Sequence, residues 1–155
     1  MLRVVGGSFT GYAGQTGPGS DSLVRLAVLT ATLDRTFNQG TGADGVVHAV
    51  AFSPAGQLVV GGQFTNVNGV ARARLARFHL DGSLDTTFTL AALQPAGAAV
   101  HAVAVDLNTS PFLSGNVGKV VIGGAFTSIN SIPRNRIARL LADGSLDGSF
   151  NPGTG

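Results

Sequence analysis

The sequence predicts an all-β chain built from about three similar four-stranded antiparallel sheets, and three observations predict it. A Gly-Gly-x-Phe-Thr motif is written three times, as VVGGSFT from Val4, VVGGQFT from Val59 and VIGGAFT from Val121. Its glycine pair recurs at Gly6, Gly61 and Gly123, spacings of 55 and 62, while Phe37, Phe88 and Phe150 recur at 51 and 62. One unit is therefore about 50 to 60 residues, a period that overrides local readings. Finally, the 155 residues include 23 Gly, eight acidic residues that are all Asp, nine Arg and the single Lys119, so good helix formers other than Ala and Leu are scarce. At 44 % apolar and 12 % charged residues, the chain has the material for a core.

The middle unit sets out the elements in order. VVHAVAF is a first strand, SPAG a turn, and QLVVGGQFT a second strand; NVNGVARA is a loop, RLARFHL a third strand, DG a turn and SLDTTF a fourth strand. Each apolar run has strand length and is bounded by Gly, Pro, Asn or Asp. Ser53 to Gly56 and the pairs Asp81-Gly82 and Asp143-Gly144 read as hairpin turns, because Gly accepts positive φ without a Cβ clash. Each unit is then an antiparallel meander with two apolar faces to hide, and stacking copies face to face around an axis hides them. The expected architecture is a β-propeller segment. Within it, Gly-Gly marks close backbone approach or a bulge, and the Phe two residues on fills the space between blades.

Two stretches, FNQGTGADGVVHAVAFSPAGQLVVGGQFTNVNG and IGGAFTSINSIPRNRIARLLADGSLDGSFNPGTG, resemble the delta-60 repeat, a β-propeller repeat of unknown function found in large bacterial surface or secreted proteins. The resemblance spans nearly the whole chain and rests on GGxFT, the LAR/IAR strand and DGSLDxxF at matching spacing. It implies a non-enzymatic, often adhesive or scaffolding, extracellular module, and it supplies no catalytic residues.

The blade units are expected at 2–43, 44–97 and 98–155, the first incomplete. The VHAV strand occurs only at Val47 to Val50 and Val100 to Val103, and GYAGQTGPGSDSLVRLAVLTATLD lacks the Asp-Gly turn. The chain starts in mid-unit, and Gly153 to Gly155 repeats the Gly40 to Gly42 sequence that precedes a first strand. Propellers close with about four to eight blades, so the expectation is an open fragment of a longer chain or one completed by oligomerisation.

Several chemistries find little support. The formal charge is only +2 despite a pI near 9.9, and neither a basic run nor interleaved aromatics point to nucleic acid. There is no Cys, hence no disulfide framework and no thiolate metal site. No apolar run approaches the ~18 residues of a helical span, and no signal peptide is visible. GTGADG (Gly40, Gly42, Gly45) matches G-x-G-x-x-G, but a strand follows where the dinucleotide fingerprint needs a helix. Asp81, Ser83 and Asp85, with Asp143, Ser145 and Asp147, alternate oxygens like part of a calcium loop yet lack its distal Glu; turns account for them. Opposite charges at matched spacing instead suggest framework pairs Arg77–Asp85, Arg139–Asp147 and Arg25–Asp34. His48 and His101 occupy equivalent strand positions, with His79 elsewhere, and are expected to be packed or half-exposed imidazoles. No G-x-S-x-G elbow is present. No catalytic residue, cofactor or metal is expected.

Function is therefore sought in what does not recur, the loops. The turn between first and second strands is nine residues longer in the last unit, within DLNTSPFLSGNVG, which carries Phe112; a second excursion, GYAGQTGPGSD, carries Tyr12. The loops between second and third strands hold Arg72, Arg74, Arg134 and Arg136, an expected polar rim that would meet acidic glycans or a protein. The reading is a non-catalytic scaffold or binding module of a bacterial cell-surface or secreted protein, its signal lying outside this chain. Its expected partners are other blades of a longer chain or a second copy. The alternative is a lectin-like or enzymatic site formed only in the complete propeller.

Overall fold

The computed structural model describes residues 2–7, 23–27, 34, 37, 40–107 and 114–153. Among them there is no α-helix, and a single 3-10 turn covers Ser114–Asn116. The described residues are all-β, arranged as the antiparallel blades of an open β-propeller. β1 (Leu2–Gly6) and β2 (Leu23–Ala27) pair antiparallel and represent the first unit.

In the second unit β3 (Val47–Phe52), β4 (Leu58–Gly62), the short β5 (Asn66–Val67) and β6 (Val70–Ala71), and β7 (Leu75–Phe78) follow in order. β8 (Leu93–Gln94) lies at the end of the second unit, and the third unit follows with β9 (Val100–Val105), β10 (Val120–Gly124), β11 (Ser128–Ile129), β12 (Ile132–Pro133) and β13 (Ile137–Leu140). The two blades are the antiparallel sheets β3-β4-β7 and β9-β10-β13. Gly56, Gly82 and Gly144 take positive φ in the expected hairpin turns.

Two features differ from the expectation. The fourth strand of each blade shrinks to one bridge, Phe78 to Leu84 and Leu140 to Leu146. The cause is the following Asp: the Asp85 carboxylate accepts from the Thr87 N–H at 2.9 Å, and Asp147 does the same for Ser149 at 3.0 Å. These Asx turns bend the chain away from the ladder after one residue. Second, the loop between second and third strands is itself a small hairpin. β5-β6 turns on Asn68 and Gly69, and β11-β12 on Asn130 and Ser131, all at positive φ, the pattern of a two-residue primed turn. The segment entering each blade pairs with its hairpin, through β8 on β11 and a bridge from Ala43 to Val67.

The core lies between the sheets. Leu58, Val60, Phe64, Val67, Ala76 and Phe78 on one face of the second blade enclose Phe37 from the first unit. Val59 and Leu75 on its other face join Val100, Val120, Ile122, Phe126 and Leu140 of the third blade, with Phe88 and Leu90 between them. Every residue of β4 is buried because both of its faces are covered. Phe37 and Phe88 thus each close the unit that follows their own, which ties consecutive units together.

Candidate functional site

The Asp-Arg-Phe motif is built across the third strand and the vestigial fourth. Arg77 Nε donates to Asp85 Oδ2 at 2.8 Å, and Arg139 Nε to Asp147 Oδ2 at 2.8 Å. The Arg77 guanidinium stands 4.5 Å from the centre of the Phe88 ring and Arg139 stands 4.9 Å from that of Phe150, within cation–π range. Two of the expected pairs are therefore formed; Arg25, of the third, lies outside the residues whose side chains are described. Both carboxylates are buried, with Asp85 2 % and Asp147 4 % exposed. Burial pushes the Asp85 carboxyl up, but hydrogen bonds from Thr87 and Arg77 outweigh it and bring it to about 2. Hydrogen bonds from Ser149, Lys119 and Arg139 hold Asp147 well below the usual carboxylate range.

The four loop arginines divide. Arg72 is 8 % exposed and donates to the carbonyls of Ala71 and Asp85; it braces the interior rather than lining a solvent rim. A bent loop, with Arg72 N–H bound to the Thr65 carbonyl at 2.7 Å, turns that side chain inward. Arg134, its counterpart, is half-buried and donates to the Pro133 carbonyl. Arg74 spans two blades: its guanidinium donates to Ala98 of the third blade at 2.9 Å and to Gln63 and Phe64 of its own. Arg136 repeats Arg74, with φ 62 against 66, but is exposed. Tyr12 and Phe112 lie outside the described residues.

The remaining polar motifs are turn chemistry. Asp81 Oδ1 caps the Ser83 N–H and hydroxyl, and Asp143 caps Ser145 alike. GTGADG runs directly into β3. Within it the Gly42 N–H donates to Asn68 Oδ1, and Asp44 accepts four hydrogen bonds from Thr65 and Asn66. Those bonds outweigh the upward push of burial and hold the Asp44 carboxyl well below its ordinary value. His79 borders a shallow depression with Ala55, Gln57, Leu80 and Asp81 at the hairpin-turn face. His48 and His101 are exposed, on the edge strands β3 and β9.

The two glycines of the repeated motif have different reasons. A Cβ on Gly61 would meet Val100 Cγ1 at 2.5 Å and Val103 Cγ2 at 2.8 Å, and one on Gly6 would strike Val47; the first Gly makes room for the next blade's leading strand. A Cβ on Gly62 or Gly124 would strike the carbonyl of Val46 or Ala99; the second makes room for the blade's own backbone, whose carbonyls accept from Gln63 and Ala125. At Gly123, the counterpart of Gly61, the nearest atoms are at 3.6 and 3.8 Å and belong to its own blade. The neighbouring positions agree. Leu75 is fully buried whereas Ile137 is 36 % exposed, and Val121 is half-buried where Val59 is buried. The far face of the third blade thus has the shape of a covered blade face but no cover among the described residues. The Leu-to-Ile difference at 75 and 137 is no cue in the sequence to that exposure; only the order of the blades reveals it.

Comparison with known proteins bears on this architecture. Residues 54–88 and 118–150 match the model of a family described as a domain of unknown function (DUF5122) beta-propeller. No curated protein and no solved structure matches the chain. Each matched segment runs from the first hairpin turn of a blade through its Gly-Gly strand and Arg strand to the closing Phe. The chain therefore carries two copies of a repeat similar to those of a β-propeller family of unknown function.

Proposed function

We propose that this chain is a non-catalytic propeller segment that acts as a scaffold or binding module and takes a further blade of the same kind on its third-blade face. The observation that carries the reading is the match between the covered face at Gly61 and Leu75 and the one at Gly123 and Ile137, which no described residue covers. The occupant is a strand with valines spaced as in Val100 and Val103, lying over Gly123 as those two lie over Gly61. Arg136 would then donate to that blade as Arg74 donates to Ala98. Resemblance to the delta-60 repeat supports a setting at the bacterial cell surface or in a secreted protein.

The test extends the chain by a second copy of residues 43–97 after Gly155. The expected result is a higher melting temperature and amide-exchange protection of β10 and β13. Gly123→Leu should cancel that gain while leaving the original chain unchanged. An extended chain no more stable than the original, with β13 amides equally unprotected, overturns the reading. Glycan-array binding lost in Arg136→Ala would separate a binding module from a bare scaffold.

A further inference from the structure

The two exposed histidines come together although they are 53 positions apart in sequence. The centres of the His48 and His101 rings are 5.0 Å apart and the rings are tilted by 46°. Both residues occupy the same special place in their blade. In β3 the register passes from Val47 opposite Gly62 to Ala49 opposite Gly61, and in β9 from Val100 opposite Gly124 to Ala102 opposite Gly123. His48 and His101 are thus the extra residues of β-bulges, which re-aim a side chain out of the alternation of the strand. The bulge is itself imposed by the sequence, since the second Gly of each pair lets the chain before the strand approach so closely. β3 and β9 are edge strands that pack directly on each other. Consecutive blades consequently present one imidazole each at one exposed spot.

We propose that His48 and His101 form an inter-blade site for a borderline divalent cation of the zinc class. Imidazole nitrogen is a preferred donor for Zn²⁺, Ni²⁺ and Cu²⁺ and a poor one for Ca²⁺ or Mg²⁺. Two imidazoles bound to one tetrahedral ion at ~2.0–2.1 Å per Zn–N bond hold their ring centres roughly 5 Å apart, which is the separation here. The remaining positions go to water, for the pair is exposed and open to entry. Each ligand comes from a different copy of the repeat, so the ion would clamp one blade to the next at their contacting edges. The site depends on contacts already formed within this chain and not on an occupant of the far face.

The experiment is titration of the whole chain with zinc chloride, read by calorimetry and by the ring-proton resonances of the three histidines, with magnesium chloride as the hard-cation arm. One ion should bind per chain, and His48 and His101 resonances should move together while His79 stays still. His48→Asn or His101→Asn should each weaken binding by roughly tenfold or more, because one of two protein ligands is gone, whereas His79→Asn should leave it unchanged. Both pair positions are exposed, and circular dichroism checks that the variants fold. Zinc binding that survives either substitution, shifts centred on His79, or no binding at millimolar zinc would overturn the proposal.

Discussion

At the residue scale, the buried carboxylates decide how the blade edges are held. Asp85 receives Arg77, Thr87 and Gln57 at once, so its removal leaves a guanidinium and a turn without their acceptor. Asp85→Ala should destabilise the chain by about 3 kcal/mol, the cost of breaking a buried pair from one side, measured by urea denaturation. Ordinary exposed pairs contribute about 1 kcal/mol at most, and burial is what lifts this one above them. The same group predicts the acid limb. Its folded pKa is depressed from 3.8 to about 2, so its contribution is fully present above 3.8 and is lost as pH falls toward 2. Asp147 shifts in the same direction. Unfolding midpoints should be flat on this account from neutral pH to about 4 and drop below it. Midpoints unchanged down to the pKa of the folded carboxyl would contradict that.

At the scale of the element, the small hairpins and the glycine pair carry the predictions. Asn130-Ser131 stands where the second blade has Asn68-Gly69, and Ser131 sits at φ 65, a conformation that strains a residue with a Cβ by ~1–2 kcal/mol. Ser131→Gly should therefore raise stability by roughly 0.5–1 kcal/mol after the added chain entropy of Gly, seen as a higher melting temperature. Gly61→Ala should cost about 1–3 kcal/mol through overpacking against Val100 and Val103, while Gly123→Ala should stay within about 0.5 kcal/mol of the parent. Equal losses at both glycines would mean that the first Gly serves its own strand and not its neighbour.

For the whole molecule, the asymmetry between blades is the informative fact. The second blade is covered on both faces, and its Leu75 has no exposed surface, whereas Ile137 keeps 36 % of its own. Leu75→Asp should abolish folding or cost about 4 kcal/mol or more, since it buries an unpaired charge. Ile137→Asp should leave the chain folded and reduce any association measured by analytical ultracentrifugation. Loss of folding in both variants would show that the far face is sheltered within this chain after all.

Much of this was legible beforehand, for definite reasons. A period of 55 to 62 residues, alternating apolar runs and Asp-Gly turns fix repeated antiparallel sheets, because those signals are local and are written more than once. The matched spacing puts Arg77 and Arg139 opposite Asp85 and Asp147 for the same reason: eight residues across a tight hairpin leave little freedom of register. The four arginines show where such reading stops. Their spacing puts them in one loop, but only packing sent Arg72 into the interior, Arg74 across to Ala98 and Arg136 to the surface. Nor does any spacing bring His48 beside His101; that contact needs two bulges and the stacking of two sheets. The chain alone determined which segments become strands and turns, through backbone preference and apolar periodicity. Tertiary structure alone decided which faces are covered, because a side chain's exposure depends on the neighbouring blade and not on the residues beside it in sequence.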